Sequence, residues 1–158
     1  MKKSTFTLFL ATFLLGLTQL HAQSFNITNY GALGDGTTLN TQSVQKAIDA
    51  CFQAGGGRVI VPTGVYIIGT VYLKSNINLY LEPGAILRGS SHIEDYAPFN
   101  EVHYGMIYVE NAENITISGS GNIDGNGDLF FDLTKAKKID KEGTQYTRQK
   151  EDFRKVTD

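Results

Sequence analysis

Short apolar segments separated by turn residues fill the chain from Arg58 onward, and this pattern restricts the fold most. The predicted strands are three to five residues long, end at Gly, Pro, Asn or Ser, and cover residues 59–61, 65–68, 71–73, 77–81 and 85–87. Strands this short fall below the usual mean of about five or six residues. The turns also lack a run of two-residue hairpin signals. We therefore favour a β-solenoid, with an antiparallel sandwich as the alternative.

The chain also repeats part of its own pattern. Residues 78–89 and 114–125 both read as an alternating apolar strand, a turn with Gly, a short strand and a final Gly. The offset is 36 or 37 residues, and segment 91–105 lies between the copies as a predicted insertion. Without the insertion, the repeat is about 22 residues long, which suits one coil of a solenoid.

One helical pattern, at residues 40–54, precedes the strands. Its apolar positions are Val44, Ala47, Ile48 and Cys51. Their i, i+3, i+4, i+7 spacing places them on one face. Asn40 or Thr41 is predicted to cap the N-terminus by accepting a backbone N–H, and the glycines at 55–57 are predicted to end the helix. Because a solenoid buries each coil only against its neighbours, we expect this helix to cover the first coil.

The segment before the helix has two parts. Residues 25–30 have apolar side chains at alternate positions and are predicted to form a strand. The glycine-rich segment 31–36 follows, and its Asp35-Gly36 pair favours a tight turn with positive φ. A phosphate-binding loop is the alternative, but no Lys-Ser/Thr follows, as that motif requires.

The first 22 residues have the order of a secretory signal peptide. Lys2 and Lys3 precede an apolar run at 6–17, which is too short to span a membrane. Ala22 supplies a small residue at the predicted cleavage point. Cleavage there leaves residues 23–158 and predicts a secreted protein, extracellular or periplasmic. A membrane anchor is the alternative.

Charge divides the predicted mature chain into two regions. Residues 23–131, predicted as the cap and first coils, hold 4 basic and 10 acidic residues. Residues 132–158 hold 8 basic and 6 acidic residues with few apolar ones. Because the two signs are interspersed there, we predict a solvated loop or excursion rather than a basic binding patch. Nucleic-acid binding needs a cluster of basic residues on one surface, and the sequence gives no sign of one.

Cysteine and histidine content argues against redox and metal chemistry. Cys51 is the single cysteine, so an internal disulfide is impossible. Its place in the apolar helical stripe predicts a buried structural residue rather than a reactive thiol. No His/Cys cluster has the spacing of metal ligands. We therefore assign neither a metal nor a cofactor.

The segments just described resemble a known superfamily. Asn-Tyr-Gly-Ala-Leu-Gly-Asp-Gly at 29–36, Asn-Thr at 40–41, Ala-Ile at 47–48 and the Gly-Gly-Gly-Arg stretch at 55–66 are similar to the N-terminal signature of the pectate-lyase-like β-helix proteins. The resemblance implies an all-β fold, a right-handed parallel β-helix (solenoid) with an N-terminal capping α-helix. Hydrolases, lyases, epimerase-like proteins and phage tailspikes share this signature, so the resemblance does not indicate which activity the protein has.

Three further segments narrow the resemblance. They are Leu-Lys-Ser-Asn at 73–76, Leu-Glu-Pro-Gly-Ala at 81–85 and Ile-Ser-Gly-Ser-Gly-Asn-Ile-Asp-Gly-Asn-Gly at 117–127. They are similar to the polygalacturonases, family 28 of the glycoside hydrolases. The resemblance implies the N-terminal part of a secreted enzyme that hydrolyses galacturonic-acid-containing pectin. One departure is Phe130-Phe131, where the family usually places tryptophan.

The catalytic motifs that the resemblance implies do not occur in this chain. Inverting hydrolysis needs a carboxylic acid that protonates the leaving oxygen and a carboxylate that activates water. The family supplies them from Asn-Thr-Asp and Asp-Asp segments, with Gly-His-Gly and Arg-Ile-Lys beside them, and all four are missing here. We therefore assign no catalytic residue, leave substrate-binding residues open, place the catalytic residues beyond Asp158, and expect this chain alone to be inactive.

The remaining polar candidates have simpler interpretations. They are the carboxylate pairs at 94–95 and 151–152, the turn carboxylates Asp35 and Asp124, and the histidines His21, His92 and His103. Asp35 and Asp124 each lie beside Gly and are predicted to be turn residues. His92 and His103 lie in the predicted insertion, either as surface residues or at the edge of a sugar-binding cleft. His21 belongs to the predicted signal peptide.

Three functions stay open for the protein that contains this chain. The first is a pectin hydrolase, monomeric at full length, whose partner is a pectic polysaccharide and for which this chain is the structural start. The second is a non-catalytic carbohydrate-binding or tailspike-like β-helix, and the third is a lyase or epimerase-like relative. Neither nucleic acid nor a membrane is a predicted partner after signal cleavage.

Overall fold

The computed structural model describes residues 23–99, 103–132, 134, 138–139, 145–146 and 148–149. The predicted signal peptide at 1–22 and most of the charged segment at 132–158 lie outside these residues, so both stay predictions. Helix α1 spans Thr41–Gln53. The strands are β1 Ser24–Asn26, β2 Asp35–Leu39, β3 Gly57–Val61, β4 Gly64–Ile68, β5 Val71–Leu73, β6 Ile77–Leu81, β7 Ala85–Gly89, β8 Pro98–Phe99, β9 His103–Tyr104, β10 Ile107–Val109, β11 Thr116–Gly119, β12 Asn122–Asp124, β13 Phe131–Asp132, β14 Lys138–Ile139, β15 Gln145–Tyr146 and β16 Arg148–Gln149.

Three parallel sheets run along the molecule. The first has the order β1-β3-β6-β11, the second β2-β4-β7-β12, and the third pairs β5 with β10. Strands that follow one another along the chain therefore pass from sheet to sheet, and each pairs with the strand one coil away. This arrangement confirms the predicted parallel β-helix with an N-terminal helix, and the antiparallel sandwich is wrong.

The repeat seen in the sequence corresponds to successive coils, with one difference in register. Leu87 pairs with Ile123 at the predicted offset of 36 residues. Leu79 pairs with Ile117 at an offset of 38, so the predicted alignment of this first strand was wrong by two residues. The third coil passes from its first strand to its second in two fewer residues than the coil before it. Because side chains alternate with period two, a shift of two keeps the same face inward.

The core lies between the sheets and is built from alternate strand positions. Strands β6 and β7 show the full alternation, with first, third and fifth residues buried and the others half-buried. The inward residues of the first two coils are Val59, Val61, Tyr66, Ile68, Val71, Leu73, Ile77, Leu79, Leu81, Ala85 and Leu87. Each large aliphatic side chain buried in this way contributes about 1.5–3 kcal/mol, so stacked coils stabilise one another.

Helix α1 covers the first coil with its predicted apolar face. All four predicted residues, Val44, Ala47, Ile48 and Cys51, are buried in the core. Burial raises the pKa of the Cys51 thiol, which confirms a structural residue rather than a reactive thiolate.

The predicted side-chain cap of α1 is wrong. Asn40 occupies the N-cap position, but its side chain makes no capping hydrogen bond. Its amide instead accepts from the Leu33 N–H at 2.7 Å and donates to the carbonyls of Leu33 and Thr38. Thr41 Oγ1 accepts from the Gly69 N–H at 2.8 Å. Asn40 is buried, so its amide is used to close the preceding loop, where several backbone groups need partners.

The strand predicted at 25–30 is extended only in its first two residues. β1 ends at Asn26, and Ile27–Tyr30 forms a 3-10 helix. Asn26 Oδ1 accepts from the Thr28 N–H at 2.9 Å and from the Thr28 hydroxyl at 2.8 Å. These local bonds turn the chain out of the extended conformation, and apolar alternation alone does not reveal them.

Two segments leave the regular coils. Residues 90–106 join β7 to β10 and contain a 3-10 turn at Ile93–Asp95 and the antiparallel pair of β8 with β9. We call residues 90–106 the inserted segment. In the second departure, β13 pairs with β16 and β14 with β15, both antiparallel.

Candidate ligand-binding site

An open cavity of about 430 Å³ lies on the outer face of the second sheet, beside the inserted segment. A row of paired positions crosses the sheet at this cavity. Leu39 pairs with Ile67, Ile67 with Arg88, and Arg88 with Asp124. The first three of these residues line the cavity. Its surface therefore changes from apolar to charged across three strands.

Arg88 and Asp124 form an ion pair at the charged side of the cavity. Arg88 Nε donates to Asp124 Oδ2 at 2.9 Å, and the two side chains are 39% and 42% exposed. Asp124 Oδ1 also accepts from the Asn126 N–H at 2.9 Å. The Asn126 N–H and then the Arg88 guanidinium hold the pKa of Asp124 below its ordinary value. The carboxylate is therefore ionised at neutral pH.

Asn126 fixes the turn that follows β12. Its φ of 54° lies in the left-handed region, which asparagine tolerates better than most residues. Its Nδ2 donates to the Gly89 carbonyl at 3.0 Å. This bond ties the third coil to the end of β7, where the inserted segment begins.

The inserted segment forms the facing wall through bonds that converge on Ser90. The Ser90 hydroxyl donates to the Asp95 carboxylate, and the His92 N–H donates to Ser90 Oγ at 3.1 Å. The Tyr96 hydroxyl donates to the Ser90 carbonyl at 2.8 Å. Burial, and then the Asp95 charge, raise the pKa of Tyr96 to about 12. The neutral phenol therefore keeps this bond throughout the physiological range.

One hydroxyl holds both ends of the β8–β9 excursion. Thr70 Oγ1 accepts from the Ala97 N–H at 2.9 Å and donates to the Gly105 carbonyl at 2.6 Å. Thr70 is buried, so its hydroxyl depends on these two backbone groups as hydrogen-bond partners. A side chain at Gly69 would collide with the Asp95 carbonyl. The strand corner at 69–70 is thus shaped to seat the inserted segment.

The aromatic residue that replaces the expected tryptophan packs against the same segment. The rings of Tyr96 and Phe130 meet edge to face, with centroids 6.1 Å apart. Such pairs contribute about 0.5–1.5 kcal/mol beyond burial. Phe130 therefore links the third coil to the wall of the cavity.

The structure separates the polar candidates found in the sequence. Asp35 is a turn residue, because its carboxylate accepts from the Thr37 and Thr38 N–H groups and the Thr38 hydroxyl, and these bonds lower its pKa. His92 lines the cavity and is highly exposed, with Nδ1 3.4 Å from Glu94 Oε1. His21, the His103 side chain and the pair at 151–152 lie outside the described residues.

Sequence reasoning missed Arg88, and it saw only the turn role of Asp124. One signal was available. Arg88 and Asp124 occupy the same position in the predicted repeat, at the offset of 36 residues, so opposite charges one coil apart on a shared face indicated an ion pair. Ser90 offered no comparable signal, because its partners belong to the non-repeating segment.

The described residues contain neither a metal-binding cluster nor a membrane-spanning helix. No group of three or more His, Cys, Asp or Glu side chains among them could hold a metal ion. Within the same residues, no helix has the length and apolar character needed to cross a membrane.

Relatives with similar sequences are much longer than this chain. No family model matches it. The exo-poly-alpha-D-galacturonosidase of Dickeya chrysanthemi is 44% identical over 118 residues, which is 65% of this chain and 19% of that protein. A probable polygalacturonase of Vitis vinifera is 29% identical over 144 residues, 80% of this chain and 28% of that protein. The chain thus spans less than a third of these relatives.

Solved structures show the same relationship. The family 28 exopolygalacturonase of Yersinia enterocolitica is 36% identical with a TM-score of 0.60, over 79% of this chain and 24% of that one. The exopolygalacturonase of Thermotoga maritima is 34% identical with a TM-score of 0.61, over 68% and 26%. Their partial coverage fits an N-terminal portion of such a protein.

Proposed function

Because the chain is homologous to the family 28 polygalacturonases, we propose that it is the N-terminal part of a secreted glycoside hydrolase that acts on galacturonic-acid-containing pectin. The observation that carries the proposal is the 44% identity over 118 residues to an exo-poly-alpha-D-galacturonosidase. The matching fold of two exopolygalacturonases supports it. In this proposal residues 23–131 form the covered start of the β-helix and one wall of a ligand cavity.

The proposed reaction is hydrolysis with inversion, and its catalytic carboxyl groups lie outside this chain. A general acid needs a raised pKa, and its partner carboxylate stands roughly 6.5–9.5 Å away to leave room for water. Asp35 and Asp124 have lowered pKa values and are held in turns by backbone N–H groups. Both therefore suit fixed structural charges rather than a proton donor. We propose that a polypeptide limited to residues 23–158 does not hydrolyse polygalacturonate.

Attack from a chain end is the mode that the relatives favour. The Dickeya protein and both solved structures are named as exo-acting enzymes. The proposal therefore predicts early release of short products, without a ladder of intermediate lengths.

Secretion and partners are part of the same proposal. Cleavage after Ala22 would deliver the protein to a compartment where pectin is present, and the order of charged, apolar and small residues supports this. N-terminal sequencing of the mature protein should begin at Gln23. The full-length protein should act as a monomer.

The test is the product formed from polygalacturonate by the natural full-length protein. The expected result is new reducing ends without the ultraviolet absorbance of an unsaturated sugar. Unsaturated ends would assign a lyase instead, epimerised polymer without cleavage would assign an epimerase, and binding without reaction would assign a non-catalytic module. Residues 23–158, assayed alongside, should release no reducing ends.

A further inference from the structure

The cavity on the second sheet has no part in the hydrolytic chemistry proposed above, and its lining points to a ligand. We propose that it is a subsite for a uronic acid residue of the polysaccharide, in which Arg88 donates to the sugar carboxylate and Asp124 limits how tightly that carboxylate is held. This inference rests on the proposed function, because it assumes a galacturonate polymer as the substrate.

Size and lining fit one or two pyranose rings. A volume of about 430 Å³ falls in the range of about 300–1,000 Å³ typical of small-molecule sites. Leu39, Ile67 and Leu129 supply an apolar surface, while Ser91, His92 and Asn126 place polar groups around it. A pyranose ring has an apolar face and an edge of hydroxyl groups, so it needs both kinds of surface.

Arg88 is the cavity-lining residue whose side chain can donate hydrogen bonds to a carboxylate and balance its charge. Among the described residues, Asp124 is its ion-pair partner, and the contact uses Nε. A guanidinium has five N–H donors in a planar fork, so its terminal nitrogens stay available for a second carboxylate. The side chain is 39% exposed, which leaves those nitrogens within reach of a ligand in the cavity.

Asp124 opposes the binding of an anion without blocking it. Its bond from the Asn126 N–H keeps it ionised and in place beside Arg88. The carboxylate therefore repels a second carboxylate while it orients the guanidinium that attracts one. Removing the negative charge alone should tighten binding, whereas removing Arg88 should weaken it.

A purely structural ion pair predicts a different pattern. Such a pair would change stability when either partner is replaced, and it would not distinguish charged from neutral sugars. The chain provides a matched control, because Lys74 Nζ lies 2.7 Å from Asp49 Oδ1 and both side chains are 38% exposed. Lys74 is a paired cation of similar exposure that does not line the cavity.

The experiment compares full-length wild type with the variants R88Q, D124N and K74Q. Binding is measured by calorimetry with oligogalacturonates and with their methyl esters of equal length, and KM is measured on polygalacturonate. We expect R88Q to weaken oligogalacturonate binding about two- to fivefold, the scale of a partly exposed ion pair, and to leave ester binding unchanged. D124N should tighten oligogalacturonate binding about twofold or more, and K74Q should match wild type.

Two outcomes would overturn the subsite. One is an R88Q affinity equal to that of K74Q, and the other is an equal loss for acids and esters. D124N tests the proposal independently of the stability of R88Q, because weaker or unchanged binding contradicts the role given to Asp124. Failure of the proposed function is distinct, since wild type itself would then release no saturated reducing ends from polygalacturonate. Normal cleavage with no effect at Arg88 rejects only the subsite.

Discussion

The two ends of the described β-helix differ in how their coils are covered. At the covered end, formed by α1 and the first two coils, Leu79 and Leu87 are 0% exposed. Their register partners in the third coil, Ile117 and Ile123, are 47% and 44% exposed. Residue type and orientation are nearly the same at both ends. What differs is whether another layer lies on the outer side, so burial in a solenoid is supplied by the neighbouring layer.

The edge strands of the sheets also differ between the two ends in whether their backbone groups are covered. At the covered end, Gln45 of α1 accepts from the Tyr72 N–H at 2.8 Å and donates to the Tyr72 carbonyl at 3.2 Å. A side-chain amide thus takes the place of a neighbouring strand at the edge of the third sheet. At the open end, β11 and β12 are the last strands of their sheets among the described residues. Uncovered strand edges favour association with other chains.

Turns continue unchanged between the two ends. Asn76 and Asn114 both adopt left-handed φ values, 63° and 56°, and Asn114 Nδ2 donates to Asn76 Oδ1 at 2.9 Å. Stacked turns therefore keep their geometry in the third coil, while the apolar stack beside them loses its cover.

We expect the largest difference between the two ends when Leu79→Ala is compared with Ile117→Ala in a polypeptide of residues 23–158. We expect Leu79→Ala to lower the free energy of unfolding by about 2–5 kcal/mol, because it leaves a cavity in a covered core. Ile117→Ala should cost about 1 kcal/mol or less, since half of that side chain already contacts solvent. Urea unfolding measures both. In a longer protein whose next coil covers Ile117, the two losses should converge, and a lasting difference there would contradict our explanation.

A second, smaller effect concerns the inserted segment between the ends. Thr70→Val keeps the shape of the side chain but removes the hydroxyl that joins Ala97 to Gly105. We expect a loss of about 1–2 kcal/mol in the free energy of unfolding, because the Ala97 N–H and the Gly105 carbonyl lose the partner that the buried Thr70 hydroxyl provides. Hydrogen exchange at Ala97 should accelerate as well. Thr70→Ser retains the hydroxyl and is the control, so an equal loss in Thr70→Ser would assign the effect to the methyl group.

Edge protection by α1 gives a third test. Gln45→Met removes both bonds to Tyr72 and should cost about 1 kcal/mol while it raises self-association at the covered end. Gln42→Met makes the same replacement at an exposed position of the same helix and should have little effect. Unfolding midpoints and light scattering compare the two variants. Equal behaviour would mean that the amide does not protect the edge.

The smallest expected effect is a dependence on pH at the two turn carboxylates. Asp35 lies at the covered end and Asp124 at the open end, and both have a folded pKa below the ordinary value of 3.8. A lowered folded pKa contributes stability above pH 4 or so, and this contribution is lost as the pH falls through the folded pKa. Asp35→Asn and Asp124→Asn should each flatten the acid limb of the stability curve. An unchanged acid limb would show that the turns form equally well with protonated carboxyl groups.

The sequence by itself favoured a solenoid with a helical cover, and the resemblance of its motifs to a known superfamily selected the parallel β-helix over the sandwich. Short alternating strands, turn residues at each corner and a repeat of roughly one coil specify which side chains point inward, because alternation depends only on neighbouring residues. The apolar stripe of α1, including Cys51, followed from local spacing in the same way.

Tertiary structure decided the features that join residues far apart in the chain. Because alternation repeats every two residues, it could not distinguish the observed register of β11 against β6 from a register shifted by two residues. The buried amide of Asn40 closes the preceding loop and does not cap the helix, because the fold places backbone groups of Leu33 and Thr38 within its reach. The cavity likewise exists only where the inserted segment, Arg88 and the third coil meet, since its walls come from segments that sequence patterns describe one at a time.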